Sequence, residues 1–534
     1  MSKAFQAFLL SAVAIVAAWW WLGRPVAMPV APLAPGDKLD CISYAPFRGG
    51  ETPLDLSLKV EPWRIEEDLK RLAPLTNCVR TYSVHQGLDQ VAPIAQRLGL
   101  KVMLGIWLGR DPVFNANQIE VAVATANRYP DAIRAVVVGN EVMLRGELPA
   151  ATLADTIRAV KARVSMPVTY ADVWEFWLRN RDLVNAVDFV TIHILPYWED
   201  FPIAADKAAD HVMSIRRQVA QSFPGKDIMI GEFGWPSAGR MREGALPSPS
   251  NQAKVFQEVI ARAKQEKFAL NVIEAFDQPW KRQFEGTVGG HWGLLDGDTR
   301  EPKFRWAEAV SDHPRWVRNA VLGVLLAALT FGAGLYASRR DKEEVAWPVW
   351  IAVAAAAAVS GTLLGWAVEQ AMVESFGTIG ALRSAALVAV AASAPALAAV
   401  AMLRGIPLLP FSNIVGRRAE RVSDPWTWAA GLVLAASTVL ALQAALGLVF
   451  DPRYRDFPFA PLTSAVVPFG LLAARTRGGT GRRAAAETAA AATLVLSAVY
   501  IAFNEGFENW QALWFCAAIV VLAAILRQAR DAPG

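Results

Sequence analysis

The chain has 534 residues, of which 54% are hydrophobic, and a formal net charge of +4. This length allows two or three domains, and the composition is too apolar on average for a wholly soluble protein. The positive charge lies mostly in short loops between apolar runs, so it makes no case for nucleic-acid binding. Residues 38–316 have an ordinary globular composition, whereas both flanks contain long uncharged runs of Ala, Leu and Val.

The first apolar run, residues 5–22, predicts a membrane anchor within residues 1–23. It ends in the tryptophans at positions 19–21, which suit a membrane interface. A cleaved signal peptide is the alternative, but its apolar core would be shorter and would precede a small-residue cleavage site. Only a weak site of that kind follows, around Ala31 and Ala34, which favours an uncleaved anchor.

Residues 24–314 alternate short apolar runs with amphipathic stretches, the pattern of repeated βα units. The apolar runs predict strands at residues 40–45, 78–82, 101–107, 135–140, 168–171, 189–193, 227–231 and 269–276. The amphipathic stretches predict helices at residues 62–71, 88–98, 116–129, 151–164, 206–222 and 250–266. Eight parallel strands over this length predict an α/β fold of the (β/α)8 TIM barrel type.

Two cysteines, Cys41 and Cys78, each begin a predicted strand, and Cys516 lies within a predicted membrane segment. Neighbouring parallel strands could bring Cys41 and Cys78 within disulfide-bonding distance. Two buried free thiols are an equally open alternative, since a cysteine is often simply part of an apolar core.

Residues 315–534 predict an all-α membrane domain with seven spans, because its apolar runs have about the length that crosses a bilayer. These runs are residues 317–337, 346–368, 381–403, 426–450, 457–474, 484–503 and 510–526. The fifth run is short and contains Pro461 and Pro468, so a kinked or re-entrant segment is the alternative there.

The basic residues alternate from one loop to the next. They follow the second, fourth, sixth and eighth spans counted from the anchor: Arg339, Arg340, Lys342, Arg404, Arg417, Arg418, Arg421, Arg475, Arg477, Arg482, Arg483, Arg527 and Arg530. Residues 369–380 and 504–509, in the alternate loops, are acidic. Because Lys and Arg near span ends stay in the cytoplasm, we expect cytoplasmic termini and a globular domain that faces outward from the cell.

Polar and aromatic side chains stand at the ends of the predicted strands, which in a TIM barrel surround one mouth. Two of them are glutamates on different strands, Glu141 and Glu232. Glycosidic-bond cleavage uses two carboxyl groups, which lie roughly 5 to 5.5 Å apart when the configuration is retained. The pair therefore indicates a carbohydrate-active enzyme.

The motifs along these strands resemble glycoside hydrolase family 17, the β-1,3-glucanase group. They are ISYA from residue 42, VRTYS from 79, LGIWL from 104, VGNE from 138, VDFVTIH from 187, PYW from 196, GEFGWPS from 231, EAFD from 274 and GGHWGL from 289. One departure is Gln278, where many members have Glu; it bears on substrate placement.

The resemblance implies that Glu141 is the acid/base and Glu232 the nucleophile of a retaining mechanism. Asn140 would donate to the sugar 2-hydroxyl, and Arg80 would stabilise the charge of the nucleophile. The substrate-binding candidates are Tyr44, Arg80, Tyr82, Asn140, His193, Tyr197, Trp235, Asp277 and Trp280. The tyrosines and tryptophans among them could stack on pyranose faces, and His193 could contact the sugar near the bond that is broken.

No cofactor and no metal ion is predicted. The five histidines have no metal-ligand spacing, and Asp296-Gly-Asp298 is typical of a turn.

The expected partners are a β-glucan, the lipid bilayer and a membrane glucan synthase. The resemblance extends to membrane-embedded proteobacterial proteins associated with β-(1,3),(1,6)-glucan synthesis, which favours glucanosyl transfer over hydrolysis. The alternative is a glucan-binding barrel on a membrane scaffold or exporter. Because charged residues lie only near span ends, as Glu369, Arg383 and Glu487 do, an anchoring or assembly role fits better than transport.

Overall fold

The computed structural model describes residues 2–339, 345–414, 424–476 and 484–528. Arg340, Lys342, Arg417, Arg418, Arg421, Arg477, Arg482, Arg483 and Arg530 of the predicted basic loops lie outside the described residues. The chain forms two compact units. The barrel unit comprises residues 26–238 and 244–310, and the helical unit comprises residues 1–25, 239–243 and 311–534.

Helix α1 (Lys3–Leu22) precedes the barrel in the chain. The barrel unit contains eight parallel strands that close in chain order, with the first beside the last. They are β1 (Cys41–Ser43), β2 (Cys78–Arg80), β3 (Lys101–Ile106), β4 (Ile133–Asn140), β5 (Val168–Val173), β6 (Val190–His193), β7 (Ile228–Phe233) and β8 (Leu270–Val272). The predicted (β/α)8 barrel is confirmed, with every predicted strand in its expected place.

The barrel helices are α2 (Pro62–Leu72), α3 (Val91–Arg97), α4 (Pro112–Arg128), α5 (Ala150–Lys161), α6 (Trp174–Arg179), α7 (Ala208–Ser222), α8 (Pro249–Glu266) and α9 (Arg282–Gly289). Two of them begin with an N-cap side chain followed by proline. Asp111 accepts from the backbone of Val113 and Phe114 at the start of α4, and Ser248 accepts from Asn251 at the start of α8. Proline suits the first helical position because that N–H lacks a helical partner.

Strand β8 is shorter than predicted because the chain after it pairs with a later segment instead. The backbone N–H of Glu274 bonds to Trp292, and the N–H of Leu295 bonds to Ala275. The two segments are thus paired just beyond the end of β8, where Ala275 N also bonds to Ser43 O of β1.

A small apolar cluster occupies the barrel interior, since residues two apart on a strand share a face. It consists of Cys41, Cys78, Met103, Ala135, Val137, Ala171 and Met229. Cys41 and Cys78 are joined by a disulfide, which decides between the two alternatives that the sequence left open. A larger apolar core lies between strands and helices.

The helical unit contains α1 and the helices α10 (Trp316–Ser338), α11 (Trp347–Glu374), α12 (Gly377–Arg404), α13 (Phe411–Ile414), α14 (Pro425–Phe450), α15 (Phe459–Arg475), α16 (Ala485–Glu505) and α17 (Trp510–Leu526). By length and composition, six of these are apolar and long enough to cross a membrane: α1, α10, α11, α12, α14 and α16. The helices α15 and α17 are apolar but have 17 residues each. Each predicted span corresponds to one of these helices.

Candidate active site

The carboxyl ends of four strands bring the central polar groups together at one mouth. Arg80 ends β2, Asn140 ends β4, His193 ends β6, and Glu232 is the last residue but one of β7. Glu141 follows β4 directly. Because all strands are parallel, their carboxyl ends open on the same side of the barrel.

Glu232 is held by two donors on one oxygen. Its Oε1 accepts from the Tyr82 hydroxyl at 2.9 Å and from Arg80 Nη1 at 3.2 Å, and only 6% of the side chain is exposed. The Tyr82 hydroxyl also lies 2.8 Å from Ser43 Oγ, so its position is fixed from both sides. Charge-assisted hydrogen bonds of this kind orient a carboxylate and stabilise its charge.

Arg80 is fully buried and connects the nucleophile candidate to its neighbours. It donates to Gly231 O at 2.6 Å and to Asn140 Oδ1 at 2.6 Å, in addition to Glu232. A side chain at Gly231 would meet Thr191 Cγ2 at 2.3 Å, so only glycine leaves room for this arrangement. With Asn140 Oδ1 occupied by Arg80, the amide nitrogen of Asn140 is the group that can donate to a ligand.

Glu141 adopts a left-handed backbone conformation, with φ of 51°. For a residue other than glycine this costs on the order of 1–3 kcal/mol, and the surrounding contacts must maintain it. The Glu141 N–H bonds to Ala171 O at 2.8 Å, and its O accepts from Arg145 N at 2.9 Å. The conformation turns the carboxylate towards the mouth, where 23% of the side chain is exposed.

His193 lies between the two glutamates. Its Nδ1 is 2.9 Å from Glu141 Oε1, and its Nε2 is 3.4 Å from Arg80 Nη1 and 3.6 Å from Glu232 Oε1. Arginine can only donate hydrogen bonds, so the shorter Nε2 contact assigns Nε2 as the acceptor. The proton is therefore on Nδ1, and His193 donates it to Glu141.

The charges around Glu141 oppose the effect of burial on its pKa. Burial raises the pKa of Glu141, but the hydrogen bond from His193 and the nearby positive charges of Arg145 and Arg80 outweigh that effect. The pKa of Glu141 in the free protein is accordingly below its ordinary value. A sugar that covers its exposed part would strengthen the effect of burial and raise that pKa.

One ligand atom each from Glu141, His193 and Glu232 lies within 4.8 Å of the other two. These are atoms that a metal ion could share, but Arg80 and His193 already donate to the two carboxylates. The close pair of glutamates is also the arrangement that retaining glycosidases use.

The remaining predicted site residues are less closely gathered. Tyr44 is buried and donates to Asp68, while Tyr197 and Trp235 have no exposed surface. Asp277 is buried and accepts from Lys303 at 2.6 Å and from Gly293 N at 2.8 Å. These four side chains therefore lie beneath the surface of the mouth. As placed, they offer no exposed surface on which a sugar could stack.

Trp280 is half-buried, and among the predicted tryptophans it is the one with surface at the mouth. Its Nε1 donates to Gln278 Oε1 at 2.9 Å, and Gln278 Nε2 donates to Ala45 O at 3.1 Å. The residue that departs from the family pattern thus holds Trp280 against the β1 loop.

Two polar groups beside the site were not among the predicted residues. Glu274 is buried and accepts from Lys281 Nζ on both oxygens at 2.9 Å. Burial raises the pKa of Glu274 to about 7, and burial together with the nearby charges of Glu141 and Glu232 raises the pKa of Glu285. Glu274 is the first residue of the EAFD motif, so the sequence could have indicated it, whereas no sequence pattern indicated its ion pair with Lys281.

The second group is Asp172 with Tyr170 on β5. Asp172 Oδ2 accepts from the Tyr170 hydroxyl and from the N–H groups of Met143 and Leu144, just after Glu141. The two side chains are two residues apart on one strand, so they share a face. That spacing was the signal for Asp172, since Tyr170 lies near the end of the strand predicted at residues 168–171.

Comparison with known proteins shows what the barrel resembles. Residues 41–293 match the model of the BtgE/BtgC glycoside hydrolase domain. The chain is 28% identical over 255 residues to a glucan 1,3-beta-glucosidase of Candida albicans, covering 44% of this chain and 83% of that protein. It is 28% identical over 253 residues to the Saccharomyces cerevisiae glucan 1,3-beta-glucosidase, covering 43% and 80%. A solved structure of a glycoside hydrolase family 17 beta-1,3-glucanosyltransferase from Rhizomucor miehei is 30% identical, with coverage of 49% and 95% and a TM-score of 0.44.

Proposed function

Since the barrel is a glycoside hydrolase domain, we propose that it cleaves β-1,3-glucan with retention of configuration and transfers the released glucanosyl unit to a second sugar. The observation that carries the proposal is the pair Glu141 and Glu232, with carboxylate oxygens within 4.8 Å of each other. Retaining enzymes place these groups roughly 5 to 5.5 Å apart, whereas inverting enzymes leave about 6.5 to 9.5 Å for a water molecule. The names of the relatives support β-1,3-glucan as the substrate.

In the first step, Glu232 attacks the anomeric carbon and forms a glycosyl ester as the glycosidic bond breaks. Arg80 and Tyr82 both bond to Oε1, so Oε2 is the attacking oxygen; among the described residues it has no hydrogen-bond partner. Glu141 protonates the leaving oxygen. When the bound sugar covers the exposed part of Glu141, the pKa of Glu141 rises and the side chain can hold this proton.

In the second step, Glu141 removes a proton from the acceptor hydroxyl as that oxygen attacks the anomeric carbon. The bond to Glu232 breaks and the carboxylate is restored. The charge of Glu232 is absent from the ester, so Glu141 is more acidic at this stage and suited to act as the base. Water as acceptor gives hydrolysis, and a sugar hydroxyl gives transfer.

The helical unit holds the enzyme in a membrane in this proposal, with the barrel on the periplasmic side of a bacterial inner membrane. Six helices of sufficient length and the disulfide in the barrel support it, because disulfides persist in oxidising compartments. Newly made β-glucan would reach the barrel there, from a membrane glucan synthase as partner.

The test is to incubate the full-length protein in detergent with laminari-oligosaccharides and to size the products. We expect products both longer and shorter than the donor. Glu232→Gln should lose at least about 10³-fold in turnover, because the amide cannot form the ester. Glu258→Gln, which changes a partly buried glutamate on α8, is the matched control and should keep full turnover.

Three outcomes would change the account. Near-normal turnover of Glu232→Gln would exclude Glu232 as the nucleophile. Products that are only shorter, at millimolar donor, would reduce the function to hydrolysis. Binding of laminari-oligosaccharides without turnover by the unmodified protein would favour the glucan-binding barrel on a membrane scaffold.

A further inference from the structure

Asp172 is a buried carboxylate that the proposed mechanism does not use. It is fully buried at the end of β5, and no Lys or Arg among the described residues forms an ion pair with it. Its Oδ1 accepts from Val173 N at 2.8 Å. Its Oδ2 accepts from the Tyr170 hydroxyl, from Met143 N at 3.2 Å and from Leu144 N at 3.4 Å. Burying a carboxylate without a paired cation costs folding free energy, which suggests that Asp172 has a role other than stability.

The hydrogen bonds of Asp172 end on the turn that carries Glu141. Met143 N also lies 3.0 Å from the Tyr170 hydroxyl, so both β5 side chains bind the same turn. Glu141 is in the left-handed backbone region, which an L residue keeps only when its surroundings determine it. Asp172 and Tyr170 anchor the residues that immediately follow this conformation.

We propose that Asp172, supported by Tyr170, is a positioning residue for the acid/base Glu141: it anchors the turn at residues 141–144, and its negative charge acts on the Glu141 carboxylate. This inference rests on the proposed function. The second effect concerns proton affinity, because a negative neighbour makes a carboxyl group hold its proton more strongly.

Charged and titratable groups on several elements surround Glu141. Glu232 on β7, Glu285 after β8 and Asp172 on β5 are acidic, whereas Arg80 on β2 and Arg145 after β4 are basic, and His193 on β6 donates to it. The basic groups lower the pKa of Glu141 in the free protein. The negative charge of Asp172 opposes their effect on the pKa of Glu141. Burial, together with the charge of Glu141, raises the pKa of Asp172 to about 6. Above that pH its charge is present when the sugar-bound Glu141 must hold a proton.

The experiment measures kcat against pH for the full-length protein with saturating laminari-oligosaccharide. The alkaline limb of kcat reports the acid in the substrate complex. Asp172→Asn keeps one acceptor for the turn but loses the charge, so this limb should move to lower pH by roughly one unit. The variant Asp188→Asn is the control, because Asp188 accepts from Val168 N at the opposite end of β5 and lies away from the mouth.

A second substrate separates a positioning role from loss of structure. First-turnover release of dinitrophenolate from an aryl β-glucoside needs little protonation, so Asp172→Asn should retain it while kcat on the oligosaccharide falls about tenfold or more. Tyr170→Phe keeps the charge but loosens the turn. It should lower kcat on the oligosaccharide, spare the aryl substrate and leave the alkaline limb in place.

The outcomes distinguish this inference from the proposed function. If the unmodified protein acts on neither substrate, the proposed function fails and the inference fails with it. If the unmodified protein is active and Asp172→Asn matches Asp188→Asn in its pH limb and substrate ratio, only the inference is wrong. If Asp172→Asn shows no thermal unfolding transition, the Tyr170→Phe variant provides the test instead. An equal loss of activity on both substrates in Tyr170→Phe would contradict the positioning role.

Discussion

The two glutamates at the mouth have different surroundings, and the difference matches the two roles that we propose for them. Glu232 is 6% exposed and fixed by Arg80 and Tyr82, as a nucleophile should be before the substrate arrives. Glu141 is 23% exposed and bonded to His193, so its surroundings change when a sugar enters. We therefore expect the proton affinity of Glu141 to change when a sugar binds.

This coupling predicts a difference between two pH profiles. The alkaline limb of kcat/KM reports the free enzyme, in which His193, Arg145 and Arg80 lower the pKa of Glu141 despite burial. A group with a lowered pKa loses its proton at lower pH, so the acid form declines early in the free enzyme. In the complex, the sugar removes water and raises that pKa, so we expect the limb of kcat at higher pH. Coincident limbs, measured by initial rates on laminari-oligosaccharides, would contradict the coupling.

The residue types of the site were predictable, whereas their exposure was not. Arg80, Asn140 and His193 end apolar strands, so the barrel places them at the mouth wherever the loops run. Tyr197 and Trp235 lie in loops, and their burial depends on packing with other aromatic rings, such as the edge contact of Tyr197 with Trp292 at 6.2 Å. Sequence periodicity carries no information about such contacts.

In the proposed function, the loop after β8 is the element that we expect to bind the sugar acceptor. Trp280 is half-buried there, held by its hydrogen bond to Gln278, and Lys281 binds Glu274 beside it. An aromatic surface near the mouth favours an incoming sugar over water because it holds the acceptor hydroxyl close to the anomeric carbon.

We expect Trp280→Ala to lower the ratio of transfer to hydrolysis about fivefold, the effect of losing roughly 1 kcal/mol of ring contact. The ratio is read from the amounts of longer and shorter products formed from laminari-oligosaccharides. Trp306→Ala is the matched control, since Trp306 is also half-buried but packs on Phe304 near α8. An unchanged ratio in Trp280→Ala would place the acceptor elsewhere.

At the scale of the whole molecule, the proposal joins a glycoside hydrolase barrel to a helical unit that crosses a membrane. The barrel and the long apolar helices were predictable in outline, because alternating apolar runs and long apolar runs are strong local signals. That residues 239–243 belong to the helical unit could not be predicted, since no change in composition marks these residues. The orientation in the membrane remains a prediction from the basic loops.

That orientation can be tested with alkaline phosphatase, which is active only outside the cytoplasm. A fusion after Arg340 should be inactive, and a fusion near Phe376 should be active, because the arginine-rich loops stay inside. A fusion within the acidic loop at residues 504–509 is a second positive control. The reverse pattern would refute either the number of spans or their direction.

The most direct test of the central claim is the anomeric configuration of the first product. Proton nuclear magnetic resonance can follow the full-length protein acting on laminari-oligosaccharides, before the product anomers equilibrate. A covalent ester on Glu232, opened with help from Glu141, inverts the anomeric carbon twice and so retains its configuration. We predict that new reducing ends formed by hydrolysis appear first as the β-anomer, and that linkages formed by transfer are β. If the α-anomer appears first, the two glutamates do not act as nucleophile and acid/base, and the retaining mechanism is wrong.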